Sequence, residues 1–264
     1  MQWTPAFRGG DSIYGESIYT SRYEAIGKYQ LPVKEKIMAS FSYSNHHQNS
    51  VYGTTPYIAH QKIAFSQVYW DKKLGSHDIL VGTAFRYNYY DDNTPATASS
   101  NLSAPKNQPD NIYLPGFFVQ DAIALNEKHK MLVGARYDYD SRHGDIFTPR
   151  FNYKWSPNDE NTFRLSAGTG YRVVNLFTED HAAATGAREI VIKGSLDPET
   201  SYNTNLNYQR FVTTNFGFIN FDASIFYTYF TNKITPDYET NVQQIIYENS
   251  HGYAVSQGAS FDLS

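Results

Sequence analysis

The chain has 264 residues, a formal net charge of -4 and no cysteine, which removes a disulfide framework, a thiol nucleophile and any thiolate metal site. It carries no basic run and no nucleic-acid-binding signature, so nucleic acid is not an expected partner. With a mean hydropathy of -0.54 and 16% aromatic residues, it lacks the run of about 18 apolar residues that a membrane-crossing helix needs. Strands that are greasy on one face and wet on the other escape that test.

Period-two alternation dominates, and it predicts about eleven strands. They fall at 13–31, 35–48, 57–71, 77–90, 113–125, 130–141, 146–156, 161–173, 199–211, 215–232 and 243–264. From Met131, the residues Met131, Val133, Ala135, Tyr137 and Tyr139 share one face, and Leu132, Gly134, Arg136, Asp138 and Asp140 the other. Phe147, Pro149, Phe151, Tyr153 and Trp155 alternate with Thr148, Arg150, Asn152, Lys154 and Ser156. Phe163, Leu165, Ala167, Thr169 and Tyr171 alternate with Arg164, Ser166, Gly168, Gly170 and Arg172. No internal repeat and no Pro/Ser-rich linker divides the chain, so residues 1–264 read as one domain.

Connections alternate in length. Short ones lie at Leu31–Glu35, Asp71–His77, Asn126–Lys130, Ser156–Asn161 and Phe211–Asn215; longer ones at His46–Pro56, Asp91–Tyr113, Val173–Glu199 and Asn232–Gln243. Ser141–Asp145 is a short connection on the long-loop side. Trp70 and Trp155 precede short turns, while Tyr89, Tyr90, Tyr139, Tyr171 and Tyr229 lie near the long-loop ends. Two aromatic girdles, short turns on one side and long loops on the other describe an antiparallel transmembrane β-barrel. A soluble β-sandwich or propeller would use shorter strands. An odd strand count and two open edges, each leaving backbone groups unpaired in lipid, predict a fragment of a larger barrel. Met1–Gly10 holds no apolar leader segment, so an exported protein's leader is expected upstream.

From Phe117 the chain resembles the barrel of TonB-dependent outer-membrane receptors. The residues that carry the likeness are Val119-Gln120-Asp121, Gly134-Ala135-Arg136-Tyr137-Asp138, Thr148-Pro149-Arg150, Gly168-Thr169-Gly170-Tyr171-Arg172 and the stretch from Gly194 to Tyr208 with its Pro198-Glu199 pair. The resemblance implies a barrel of about twenty-two strands with a plugged lumen, of which this is the middle part with the plug domain absent. It implies a bacterial outer-membrane location, contact with lipid, engagement of TonB through the missing plug, and active uptake of a scarce, bulky nutrient such as a ferric siderophore, haem or cobalamin. A passive porin-like channel and a barrel enzyme (protease or phospholipase) are the alternatives. No catalytic motif is present, so enzyme activity is not expected, and no cofactor is called for.

Arg136, Arg150 and Arg164 fall on the expected lumen face, as parts of a solvated polar interior or as plug contacts. Gly168-x-Gly170 suits close backbone approach there rather than a dinucleotide loop. Arg172, Glu179, Asp180, His181 and Arg188 gather at the loop from Val173 to Glu199, the longest connection, as candidate ligand-binding residues. The first part of that loop, Asn175 to Ala184, has a helix-compatible composition with Asn175 as cap. His181 stands where haem receptors of the resembled family place an axial ligand, although Val173-Val174 replaces the Ala-Pro of their motif; a surface histidine is the plainer reading. Asp138, Asp140 and Asp145, like Asp91 and Asp92, are carboxylates near loops without an intact calcium-loop pattern, so no metal site is expected. His46-His47 show no ligand spacing.

Overall fold

The computed structural model describes residues 2–98, 107–174, 188–194 and 196–264. Strands β1 (Glu16–Gln30), β2 (Lys36–Tyr52), β3 (Thr55–Leu74), β4 (His77–Asp92), β5 (Asp110–Ala124), β6 (His129–Asp140), β7 (Gly144–Trp155) and β8 (Asn161–Arg172) pair antiparallel with their sequence neighbours. The sheet continues through β10 (Glu199–Thr214), β11 (Gly217–Phe230) and β14 (Ala254–Leu263), making eleven strands. Between them, β9 (Glu189–Ile192), β12 (Ile234–Asp237) and β13 (Gln244–Asn249) form a separate small sheet.

Alternation puts two chemically different faces on the large sheet. Registered neighbours share a face, and the row Gly82, Phe118, Arg136, Thr148 belongs to the side that lines the larger cavity. We call this the inner face. The outer face carries Val81, Val119, Ala135 and Pro149 in one registered row, and Leu165, Leu206 and Ile225 in another. Near the short turns an aromatic row crosses four strands of this face. His129 stacks on Trp155, Trp155 on Phe163, and Phe163 on Tyr208, at 6.2, 5.1 and 4.7 Å between ring centres.

Glycine is used where a side chain would not fit. Gly53 and Gly75 turn tight hairpins with φ of 59° and 61°, a region that costs other residues about 1 kcal/mol or more. A Cβ on Gly82 would lie 2.5 Å from the Phe118 ring and 2.7 Å from the Val68 carbonyl oxygen. Gly134 and Gly168 register on either side of Arg150 and leave space for its side chain to lie along the sheet toward Gln120, at 2.8 Å.

Several expectations are corrected. The segment 46–56 is no long loop: β2 and β3 pair without a break to Tyr52 and Thr55, because backbone pairing is indifferent to the polarity of His46, His47, Gln48 and Asn49. The expected last strand, 243–264, is two strands in different sheets. Ile245, Ile246 and Tyr247 are consecutive and all buried, so β13 is covered on both faces, and Ser250–Gly252 separates it from β14. Tyr90 leaves the expected girdle, since it points inward and is 3% exposed. Tyr171 leaves it too. The β7–β8 ladder joins only Arg150–Trp155 to Phe163–Gly168; Pro149, which has no N–H to donate, stands next. Beyond it the end of β8 parts from β7, and Tyr171 lines the cavity.

The register makes a direct prediction for the full-length barrel in lipid. Leu165 is on the outer face and Arg164 on the inner. Leu165→Arg should destabilise by about 2–4 kcal/mol near the midplane. Arg164→Leu, which removes two hydrogen bonds to neutral amides, should cost about 1–2 kcal/mol. Reversible unfolding in lipid measures both, and the opposite order would mean a register shifted by one.

Candidate functional site

The inner face encloses a cavity of about 1070 Å³ toward the long-loop end. The two loops after β8 and β11 build a roof for it. β12 pairs antiparallel with β13, and β13 pairs parallel with β9, Ile245 beside Ile190 and Tyr247 beside Ile192. Apolar side chains of this small sheet, Ile234, Ile245 and Tyr247, pack against Tyr52, Tyr57, Ala59 and Tyr90 of the β2–β4 wall. Hydrophobic burial thus holds loops from one part of the sheet against strands from another.

Polar anchors fix the roof to the strands beneath it. Glu199 is 3% exposed; its carboxylate accepts the Ile234 N–H at 3.0 Å and the Arg172 Nε–H at 2.9 Å. Asn232 Oδ1 accepts the Thr200 N–H at 2.7 Å, and its amide donates to the Pro198 carbonyl at 2.6 Å. Asn249 ties the Asp197 backbone to the Asn232 carbonyl. Below the roof, the Tyr57 and Tyr90 hydroxyls lie 2.9 Å apart, and Tyr90 donates to the buried Asp92 at 2.6 Å. Asp92 also receives the Thr94 N–H and hydroxyl, so a buried carboxylate shapes the start of the loop after β4.

The opposite wall is charged. Arg136 holds Asp138 through two bonds of 2.6 Å, and Arg142 donates to Asp110 at 2.8 Å. Asp140 accepts the Arg142 and His143 backbone N–H groups at the tip of the β6–β7 hairpin. The Arg142 Nε–H donates to His143 Nε2 at 2.9 Å. Burial, with the adjacent Arg142 guanidinium second, holds the His143 imidazole below its ordinary value, in keeping with a neutral ring that accepts this bond. Among the described residues the buried Tyr171 hydroxyl has no hydrogen-bond partner, and it lies within the electrostatic reach of Asp140, Arg142 and Asp197.

Arg172 lines the cavity, paired with Glu199. Arg188 lies over the Tyr238 ring and donates to the Tyr238 carbonyl at 3.2 Å, on the small sheet rather than in the cavity lining. Glu179, Asp180 and His181, with the helix expected from Asn175, lie outside the described residues. Arg136 is in the cavity wall. Arg150 and Arg164 share its face, but Arg164 lines a second cavity of about 430 Å³ near the short turns with Lys130 and Lys154. The aspartates considered for calcium are not brought together: Asp138 pairs with Arg136 on the inner face, whereas Asp145 accepts the Tyr137 hydroxyl on the outer. Asp91 and Asp92 likewise point to opposite faces. Sequence reasoning missed Asp110, Arg142, His143 and Asp197 as lining residues. Asp110 could have been found by extending the alternation of the fifth strand to its true start.

The whole chain from residue 3 to 264 matches the family model described as TonB dependent receptor-like, beta-barrel. The chain belongs to this TonB-dependent receptor family. It is 29% identical over 136 residues to the iron-regulated outer membrane virulence protein of Vibrio cholerae serotype O1, a match covering 51% of this chain and 20% of that protein. Its fold superposes on the siderophore receptor PirA of Pseudomonas aeruginosa with a TM-score of 0.69 at 15% identity, covering 94% of this chain and 44% of that one. A mutant of the ferric enterobactin receptor PfeA of the same organism, solved in complex with enterobactin, gives 0.69 at 15% identity, with 93% and 41% covered. The matched part of the chain therefore covers about a fifth of that curated relative's length, and the chain covers under half of those two structures. Membership places this receptor barrel in the bacterial outer membrane.

Two predictions follow from the roof and the hairpin tip of this receptor. Glu199→Ala should remove a buried, charge-assisted anchor of about 1.5–3 kcal/mol. Amide exchange across Ile234–Asp237 and Gln244–Asn249 should then accelerate at least tenfold, about 1.4 kcal/mol, while β5–β7 stay protected. His143, with its folded-state pKa depressed, binds fewer protons folded than unfolded just below its ordinary value. Its contribution to stability is present above about pH 6.5 and is lost as pH falls toward the depressed value. Unfolding in lipid at pH 7.5 and 5.5 should show a drop that His143→Gln reduces; an identical drop in the variant would remove His143 from the account.

Proposed function

We propose that this chain is part of the barrel of an importer that takes up a scarce, bulky nutrient, with a ferric siderophore the favoured class. The observation that carries this reading is the roofed cavity at the long-loop end, in a chain of the TonB-dependent receptor family. The long loops face outward and the short turns face the periplasm, the usual sense of such barrels. Arg136, Arg150 and Arg164 then form part of the lumen wall, against which a plug domain packs, and TonB acts through that plug. The names of similar proteins favour iron: the Vibrio relative is iron-regulated and the superposed structures are siderophore receptors.

The ligand is first held at the mouth. Arg172 and the loop bearing Glu179, Asp180, His181 and Arg188 supply the outer contacts, and the buried Tyr171 hydroxyl supplies a donor below them. A small sheet packed across the mouth favours a gated importer over a passive pore. The cavity histidine, His143, is bonded to Arg142 rather than to a nucleophile, which favours a receptor over a barrel hydrolase.

Deleting Thr178 to Arg188 from the full-length receptor, with assembly confirmed, should weaken ligand binding at least tenfold, about 1.4 kcal/mol. Tyr171→Phe should weaken it about five- to tenfold without changing stability. Binding of ferric siderophores to the receptor in intact cells, with and without an energised TonB system, measures both. Unchanged affinity and uptake in the deletion would take the ligand role from the loop, and uptake that is independent of TonB would reject the importer reading.

A further inference from the structure

The inner face of β3–β5 is not uniformly polar. Two registered rows stand under the roofed mouth, Ile63–Asn88–Ile112 and, nearer the short turns, Phe65–Arg86–Leu114. All of these residues line the larger cavity. The middle strand supplies a polar pair, and the strands on either side supply hydrocarbon. A water-filled lumen gives isoleucine, leucine and phenylalanine nothing to pack against, and apolar surface left in water is unfavourable in proportion to its area. Apolar walls around a few placed polar groups are the usual make-up of a small-molecule site.

The polar pair lacks partners. Among the described residues Asn88 Oδ1 is buried with no hydrogen bond, and Arg86 forms no ion pair. The Arg86 guanidinium lies 5.9 Å from the centre of the Phe65 ring, which positions its charge without neutralising it. A buried acceptor without a donor is unfavourable, so a ligand that brings an N–H to Asn88 gains by it. Elsewhere in the cavity the charges are matched. Four arginines and four aspartates line it. The three arginines other than Arg86 are already paired, Arg136 with Asp138, Arg142 with Asp110 and Arg172 with Glu199. Among the described residues an incoming ligand thus meets one unpaired guanidinium in a wall otherwise balanced in charge.

We propose that this patch selects a ferric chelate of low charge, of the trihydroxamate kind, over the highly anionic tris-catecholate kind, with Arg86 as the specificity-determining residue. Hydroxamates match the charge of ferric iron and leave a neutral complex; catecholates exceed it and leave a trianion. The aliphatic arms of the chelate lie on Ile63, Phe65, Ile112 and Leu114. An amide N–H of its scaffold donates to Asn88 Oδ1, and a hydroxamate oxygen accepts from Arg86. A tris-catecholate would bring its excess charge against paired aspartates with a single free guanidinium to meet it, in a partly enclosed space where like charges repel more strongly than in open water. This rests on the importer reading and narrows its ligand class.

The test uses the full-length receptor in lipid nanodiscs, titrated with cyclic and linear ferric trihydroxamates and with ferric enterobactin, a tris-catecholate. Quenching of tryptophan fluorescence reads the binding. The tightest trihydroxamate should bind at least tenfold better than the enterobactin complex, about 1.4 kcal/mol. Arg86→Gln should weaken that trihydroxamate about fivefold or more, and Arg86→Lys should recover part of the loss. Ile112→Asp, which sets a carboxylate in the hydrocarbon flank, should weaken it as well, whereas Lys128→Gln in a short turn should not. Asp110→Asn, which releases Arg142, should shift the preference toward the enterobactin complex. Heat-modifiable gel mobility shows which variants are folded, and Arg86→Gln, at an exposed position, carries the test if Ile112→Asp is not. If the enterobactin complex binds as tightly as the tightest trihydroxamate, the importer reading stands and the low-charge inference falls. If folded Arg86→Gln keeps full affinity and selectivity, another part of the receptor covers the patch and the inference falls. If no ferric chelate binds at all, the importer reading falls and takes the inference with it.

Discussion

In the middle of a bilayer, a backbone amide that is not bonded to another strand has no water to turn to, at a cost of several kcal/mol. The continuous antiparallel ladder is the response. Pairing from Lys36 to Tyr52 against Thr55 to Asp71 proceeds with no interruption, although the residues involved range from isoleucine to asparagine. Once the ladder is fixed, side-chain direction follows from the pleat, and the sequence has merely to place apolar groups at every second position. Low overall hydropathy is therefore compatible with life in lipid.

What sits on the inner face is free to be polar, and the protein uses that freedom unevenly. Near the long loops the charges are matched: Arg136 with Asp138, Arg142 with Asp110, Arg172 with Glu199. Toward the short turns Lys130, Lys154 and Arg164 register side by side, and Arg164 bonds to the amides of Asn207 and Gln209 rather than to a carboxylate. Like charges in adjacent cross-strand positions cost stability unless something opposite faces them. The inner wall is thus charge-matched at the mouth and carries a row of like charges at the base.

Most of the large sheet was legible because its rule is local. The alternation from Met131 to Gly168 gives strand, face and partner together for three strands, whereas segments such as 57–71 and 113–125 alternate less cleanly and were placed more roughly. The small sheet was not legible, because β9 and β12 are four residues each and draw their stability from contacts with Tyr52, Tyr57 and Tyr90 far away in the sequence. β13 was misread for the same reason: Ile245-Ile246-Tyr247 has no alternation to interpret once both faces are covered. Tyr171 was misjudged where the rule itself lapses. Above Gly168 the strand leaves β7 while staying paired with β10, and Tyr171 lines the cavity beside that parting, which parity alone does not show.

The parallel pairing of β13 with β9 joins two loops that leave the barrel on either side of the β10–β11 hairpin. Gln244 hydrogen-bonds Glu189 across that junction, and the pair shares one apolar underside. Neither loop can then be exchanged by itself. A graft that moves the loop after β8 into another receptor would arrive without the strand that completes it, and would leave Ile245 and Tyr247 of its former partner uncovered. Natural variation at this mouth is expected to travel in paired blocks, so recombination breakpoints should fall outside the stretch from Glu189 to Asn249 rather than within it.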